Sequence, residues 1–480
     1  MNVRIIRLFI FIAGCFALLV GFTSYWSVFD AKDRKNQRVN TRPRFEAQQI
    51  TRGRITTADG VLIARSVGSG RGASRQYVRE YPNGPLFGHP IGYSFAEQGN
   101  SEFEASHNGE LIGEGSEFTS ILDELRGRKQ EGNNIRTNID SVAQQTAVDL
   151  LAGRPGAVIA MVPSTGEVKA MVSEPPYDPN TIPDDLGPLS NTPGSPLLDR
   201  ASQGQYPPGS TFKLVTATAA LDSGAVSADE LIDSPASLTI QGQPLANDFQ
   251  QPFGEIDMTT ALTNSVNTYF AQLGERVGKD TLYEYMEKFG FNAKPQIDLP
   301  KDQLSISGVF DGNNLLGPDE GADIARIAIG PERLLATPIQ MLQVASATAN
   351  DGKLMKPVIW NKVTDPDGRT VDSVDPSEQS DVMSEETAGQ LTEMMKSVVN
   401  EGTGTAAALS GVDVAGKTGT AEVPDKVACE GLPNQAWFVG FAPADDPQIA
   451  VAATVECTDG QGGTVAAPIA AGVMQSLLGG

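Results

Sequence analysis

The stretch "YPPGSTFKLV", residues 206–215, decides how the rest of the chain is read. A serine hydroxyl is a weak nucleophile at neutral pH and needs a base beside it. The chain has only two histidines, His89 and His107, both far upstream of Ser210. Lys213, three residues on, is better placed. No other lysine in the chain has a serine three residues before it. Pro207-Pro208-Gly209 forces a turn, and the spacing after it predicts a helix ending at Gly224. Ser210 then sits at a helix N-terminus, where free N–H groups and the helix dipole favour negative charge. Lys213 follows one turn later on the same face. A helix cap with a surface lysine would give the same pattern. Lysine becomes a base only if its pKa falls: from a reference near ~10.4, a shift of about three units costs roughly 4 kcal/mol. Burial and a second nearby cation both push that way, so the pair requires another positive group in the pocket.

"VAGKTGTAEV", residues 414–423, supplies one. It reads as a strand, with Lys417 and Gly419 on one face and Thr418 and Thr420 on the other. A shared pocket therefore needs the long lysine stem, or strand twist, to bring the ammonium round. Gly419 would let a ligand backbone approach closely. A lysine with neighbouring hydroxyls makes a carboxylate clamp; a glycine-bearing surface strand would look the same. The third piece is Ser265-Val266-Asn267 within "TTALTNSVNTYFAQLGERVG", which reads as a helix. Polar side chains in such apolar text need partners if buried. Ser265 could relay a proton, and the Asn267 amide could hold both Lys213 and a substrate carbonyl.

Around these motifs, "NIRTNIDSVAQQTAVDLLAGRPGAVIAMVPSTGEVKAMVSEP" (134–175) reads as strand, helix and two strands, with Asp140 as helix N-cap. A long loop is expected from Pro175 to Pro208. "PIQMLQVASATANDG" reads as a helix; "VAGKTGTAEV", "AWFVGFAP" and "QIAVAATVEC" as three strands; "AAPIAAGVMQSLL" as a closing helix. This order predicts one sheet covered by helices. Residues 61–135 are weakly periodic, and "REYPNGPLFGHPIGYS" reads as turns between short strands.

The 480 residues are 40 % hydrophobic and 20 % charged, enough for two or three domains. A net charge of −23 argues against nucleic acid as a partner. Leu8 to Phe29 contains no charge, long enough at roughly 1.5 Å per residue to cross a ~30 Å hydrocarbon core. No Ala-x-Ala site follows, and Ile12-Ala13-Gly14-Cys15, a lipoprotein-like box, lies inside the apolar run. An uncleaved single-pass anchor is the reading, with basic residues on both flanks leaving its orientation open.

Taken together, Ser-x-x-Lys, Ser-x-Asn and Lys-Thr-Gly in this order form the signature of penicillin-recognising serine enzymes. With "RASQGQYPPGSTFK", "GAVIAMVPSTGEVKAMVSEPPYDPN", "GKTGTAE" and "AWFVGFAP", nearly the whole chain resembles the penicillin-binding proteins. "TRGRI" resembles the start of the pedestal in class B members, and "YPNGPLFGHPIGYS" the actinobacterial penicillin-binding protein A branch. The resemblance implies an α+β transpeptidase fold with a central antiparallel sheet flanked by helices. It implies a cytoplasmic tail (1–7), an anchor (8–29), a pedestal or interaction domain (30–140) and an extracytoplasmic transpeptidase domain (141–480). It also implies roles: Ser210 the acylated nucleophile, Lys213 its base, Ser265 a proton relay, Asn267 a holder of the donor peptide. Lys417, Thr418, Gly419 and Thr420 would bind the substrate carboxylate, and the N–H groups of Ser210 and Thr420 would form the oxyanion hole. The expected substrates are peptidoglycan stem peptides ending in D-Ala-D-Ala, with β-lactams as covalent inhibitors and no metal or cofactor. Too few residues precede Thr137 for a glycosyltransferase domain, which implies a SEDS-family glycosyltransferase as partner. A D,D-carboxypeptidase and a non-catalytic scaffold or sensor are the alternatives. A β-lactamase fits less well, since no clear Glu-x-x-x-Asn loop follows Ser265.

Two further features stand out against the family. Gly330-Pro331-Glu332 replaces the usual Gly-Gln-Gly-like turn, so a local loop difference is expected. If the last strands form an antiparallel sheet, Cys429 and Cys457 fall at the same end of it, and a disulfide is sterically open to them.

Overall fold

The computed structural model describes residues 3–28, 49–70, 76–114, 130–330, 333–422, 429 and 431–479. Helix α1 (Val3–Val28) carries the apolar run; its Val3–Tyr25 portion is, among the described residues, the one helix long and apolar enough to cross a membrane. It begins earlier than the charge-free stretch and takes in Arg4 and Arg7.

The central sheet is built from β5 (Gly156–Met161), β6 (Val168–Glu174), β9 (Ala415–Glu422), β10 (Asn434–Ala442) and β11 (Ile449–Thr458). Its order is β9-β10-β11-β5-β6, antiparallel throughout. The five strands come from both ends of the catalytic region, which is why "AVIAM" and "QIAVAATV" must meet in space. Both faces are covered, so β5 is buried at every position. On one face Val158, Ala160, Phe438 and Val451 pack against helices α3 (Ser141–Leu151) and α9 (Gly462–Leu477). On the other, Ile159, Val439 and Ala452 join the larger core with helices α5 (Lys213–Asp222) and α8 (Pro338–Ala349). The period-two alternation of the strands sorts these residues between the two cores. Asp140 caps α3, its Oδ1 accepting from Val142 N (3.0 Å) and Ala143 N (2.9 Å).

A second, six-stranded sheet lies nearer the N-terminus. Its strands are β1 (Ile55–Thr56), β2 (Leu62–Ser69), β3 (Gln76–Glu80), β4 (Asn134–Thr137), β7 (Trp360–Thr364) and β8 (Thr370–Ser373), in the order β8-β7-β4-β1-β2-β3. Only β1 and β4 run parallel. The hairpin β7–β8 comes from far down the chain and pairs β7 with β4. Beside this sheet, Glu104 is wholly buried between two arginines. Arg52 Nε donates to its Oε2 (2.7 Å) and Arg79 Nε to its Oε1 (2.6 Å). Arg52 Nη1 also donates to Asn108 Oδ1 (2.6 Å) and Arg79 Nη1 to Gly53 O (2.6 Å), while Arg79 Nη2 is buried with no partner among the described residues.

Three local readings change. "YPNGPLFGHPIGYS" holds helix α2 (Gly84–Ile91), not turns between strands: Pro85 suits the first helical turn, and Phe87 and Ile91 bury an apolar side. The stretch from Pro175 to Pro208 holds a 3₁₀ turn (Pro179–Thr181) and helix α4 (Ile182–Ser190), whose first turn carries Asp184 and Asp185. The single helix expected over residues 259–278 is two, α6 (Met258–Thr263) and α7 (Asn267–Val277), broken at Ser265. Of the Gly330-Pro331-Glu332 turn, Pro331 and Glu332 lie outside the described residues.

Candidate active site

Ser210 sits in a 3₁₀ turn (Gly209–Phe212) that runs directly into α5. The turn is held from several sides. Trp437 Nε1 donates to Pro207 O (3.0 Å), Thr211 Oγ1 to Pro208 O (2.7 Å), and Gly209 N to Gly330 O (2.9 Å). Gly209 adopts φ +53°, and a Cβ there would lie 2.7 Å from Thr420 O and 3.2 Å from Thr420 N. Only glycine permits both the conformation and this approach. It brings the backbone before Ser210 against that of Thr420.

Lys213 is fully buried. Its Nζ donates to Asn267 Oδ1 (2.7 Å), Ser265 O (2.7 Å) and Ser265 Oγ (3.2 Å). Burial drives its pKa well below the usual lysine range; the Lys417 charge adds to this, and the Asp248 carboxylate opposes it. Lys417 is also fully buried, with Nζ donating to Thr418 O (3.1 Å). Burial lowers it to about 7, against the pull of Asp248. The second cation that a basic Lys213 requires is thus close enough to act on it.

The break between α6 and α7 has a local purpose. Ser265 takes φ +57°, an unusual conformation for a side-chain-bearing residue, costing on the order of 1 kcal/mol or more. It aims the Ser265 carbonyl and hydroxyl and the Asn267 amide at one ammonium. Asn267 Nδ2 also donates to Ala246 O (3.0 Å), tying this motif to the segment that carries Asp248.

Ser210, Ser265, Asn267, Thr418, Gly419 and Thr420 line one cleft of about 880 Å³. Along its wall runs β9, the edge strand of the central sheet. Thr418 Oγ1 lies 2.6 Å from Thr403 Oγ1, and Thr420 Oγ1 accepts from Gly462 N (3.1 Å). Gly419 answers a different need from the one expected. A Cβ there would meet Pro208 O at 2.7 Å and Thr211 Cγ2 at 3.0 Å, so the missing side chain admits the turn bearing Ser210, not a ligand. Cys429 and Cys457 are joined as a disulfide with Cα atoms 5.0 Å apart; Cys429 follows β9, and Cys457 lies in β11. Asp248, Thr403 and Trp437 were not singled out from the sequence. They converge on the cleft or its supporting turn from separate elements, with no spacing that marks them.

The arrangement gathers the Ser210 hydroxyl, a buried amine of lowered basicity, the Ser265 hydroxyl, the Asn267 amide, and a second buried lysine beside the Thr418 and Thr420 hydroxyls. Residues 156–475 match the family model of the penicillin binding protein transpeptidase domain, and residues 52–135 that of the penicillin binding protein A dimerisation domain. The chain is 33 % identical over 503 residues to the peptidoglycan D,D-transpeptidase PbpA of Mycolicibacterium smegmatis, covering 100 % of this chain and 99 % of that protein. Penicillin-binding protein A from M. tuberculosis, solved as its ceftriaxone acyl-enzyme complex, aligns with a TM-score of 0.81 at 31 % identity, over 90 % of this chain and 100 % of that one. A D,D-transpeptidase domain from Eggerthella lenta aligns with a TM-score of 0.77 at 35 % identity, over 90 % of this chain and 98 % of that one.

Proposed function

The chain belongs to the class B penicillin-binding proteins, and we propose from this that it cross-links peptidoglycan stem peptides through an acyl-enzyme on Ser210. The observation that carries the assignment of roles is the buried Lys213, bonded to Ser265 and Asn267 and facing the charge of Lys417. Ser210 Oγ attacks the carbonyl of the penultimate D-alanine, and Lys213, neutral at working pH, takes its proton. The N–H groups of Ser210 and Thr420 hold the oxyanion, a term typically worth a few kcal/mol. Ser265 passes the proton to the amine of the departing D-alanine. Lys417, Thr418 and Thr420 take the terminal carboxylate, while Asn267 holds the donor peptide. An amine of a neighbouring stem peptide then attacks the ester and restores Ser210. A β-lactam enters the same way, but its leaving amine stays tethered, so the ester persists.

Apolar side chains exposed along α1, such as Phe9 at 71 %, fit a single-pass anchor with residues 30–140 and 141–480 outside the membrane. The Cys429–Cys457 disulfide fits an oxidising, extracytoplasmic location. A SEDS-family glycosyltransferase is the partner that would supply the glycan strands.

Intact mass of the purified ectodomain after exposure to a β-lactam tests the reading. Wild type should gain one drug mass and Ser210→Ala none. No adduct with no hydrolysis would leave a binding scaffold; no adduct with rapid drug turnover would mean a β-lactamase. The pH profile of acylation tests the lysine pair. Acidification protonates Lys213 and removes the base, but only well below the usual lysine pKa. Alkali discharges Lys417, at about 7 in the unliganded site, and weakens the carboxylate clamp. The second-order acylation rate should therefore be bell-shaped, and Lys417→Ala should move the acid limb to higher pH. A rate that rises steadily toward ~10.4, the reference lysine pKa, would contradict the assignment.

A further inference from the structure

We propose that Asp248 receives the acyl acceptor, its carboxylate binding the protonated amine of the incoming stem peptide inside the cleft; the inference rests on the transpeptidase reading. Asp248 lines the same cleft as Ser210, Ser265 and Asn267, and it is exposed to solvent there. Two other carboxylates line that cleft. Asp323 is already committed: Oδ1 accepts from Ala325 N (3.1 Å) and Arg326 N (3.3 Å), and Oδ2 lies 3.5 Å from Arg326 Nε. Glu422 sits at the last residue of β9, two positions beyond Thr420. The Asp248 carboxylate also opposes the lowering of both Lys213 and Lys417 by burial.

Its mounting is specific. The preceding Asn247 is buried, with Oδ1 accepting from Thr268 N (2.9 Å) and Nδ2 donating to Pro235 O (3.0 Å) and Gln251 O (2.9 Å). One residue earlier, Ala246 O accepts from Asn267 itself. The next two residues, Phe249 and Gln250, both adopt left-handed backbone (φ +56° and +52°), and Phe249 is 90 % exposed. Two consecutive strained residues need support from their surroundings, and such strain concentrates at ligand sites. The segment is therefore held against the Ser265–Asn267 motif, and its acid, which makes no side-chain hydrogen bond or ion pair among the described residues, lines the cleft.

The chemistry requires such a group. A stem-peptide amine is an ammonium at neutral pH and needs a counter-charge to be held in the cleft. Asp248 supplies that counter-charge within the cleft that also contains Ser210. The amine then loses one proton to water. Its lone pair forms the C–N bond, the ester C–O bond to Ser210 breaks, and the second proton returns through Lys213 to Ser210 Oγ. Asp248 itself is not consumed.

The test uses the anchored full-length protein in detergent, a thioester acyl donor ending in D-alanine, and an acceptor amine at varied concentration. In Asp248→Asn the acceptor KM should rise about 10- to 100-fold, the gain expected from one charge-assisted hydrogen bond. Hydrolysed product should replace amide, and Asp248→Glu should restore part of the transfer. Hydroxylamine, uncharged at neutral pH, should remain nearly as good an acceptor as with wild type. Unchanged acceptor KM, or equal loss toward hydroxylamine, would overturn the proposal. So would a shifted pH profile of β-lactam acylation with unchanged product ratio, which would make Asp248 only a modulator of the lysines. Failure of wild type to acylate at all would remove the transpeptidase reading, and this inference with it.

Discussion

Lys213→Arg should lower the second-order rate of β-lactam acylation on the order of 10³-fold, the range general bases contribute. Arginine can still donate toward Ser265 and Asn267, so it preserves much of the hydrogen bonding around the ammonium. What it cannot do is become neutral, since its pKa stays above ~12 even when buried. The variant thus places a permanent charge where the mechanism needs a neutral amine: it keeps the donors and removes the proton acceptor. A second variant, Lys213→Met, removes the proton acceptor without introducing a charge, and so controls for a folding defect caused by burying the guanidinium. Both should acylate slowly, with melting curves showing that the fold persists. Acylation by both within tenfold of wild type would mean that Ser210 has another base.

Glu104→Ala should destabilise the N-terminal region by about 3–5 kcal/mol, the cost of leaving buried charge uncompensated. Here the change strands two guanidiniums at once, since Arg52 and Arg79 both donate to Glu104 and both are largely buried. The comparison is Arg65→Ala. Arg65 meets Glu80 at 2.7 Å, but their side chains are 48 % and 41 % exposed, and solvent screens such a pair so that its loss changes stability little. Urea unfolding followed in the ectodomain should show the Glu104 variant losing its midpoint far below wild type and the Arg65 variant nearly coincident with it. Similar midpoints for all three would mean that water reaches the cluster.

Periodicity and turn residues made the sheet-forming strands and most helices legible, because apolar runs bounded by Gly and Pro leave few alternatives. The chemical motifs were legible through their order along the chain. What they could not convey was direction. Strict alternation put Lys417 opposite Thr418 and Thr420; in three dimensions the two threonines line the cleft while Lys417 is buried behind them, its Nζ donating to Thr418 O. Gly419 carried the right residue for the wrong reason, since its close neighbour is Pro208, more than two hundred residues away in sequence. The break at Ser265 escaped notice because helical spacing continues on both sides of it. Asp248 was invisible for a plainer cause: a single acid in a hairpin-rich stretch has no pattern to betray it.

The sheet that joins β4 to β7 sets a timetable for synthesis. β4 is complete at Thr137, yet its neighbour begins at Trp360. At roughly 5–20 residues per second, translation leaves that strand edge waiting about 10–45 s for its partner. During that interval the nascent chain presents an open edge, the surface on which strands from different molecules pair. The protein's yield, more than its final stability, should therefore depend on how fast the ribosome moves between those two strands and on what shields the first of them meanwhile.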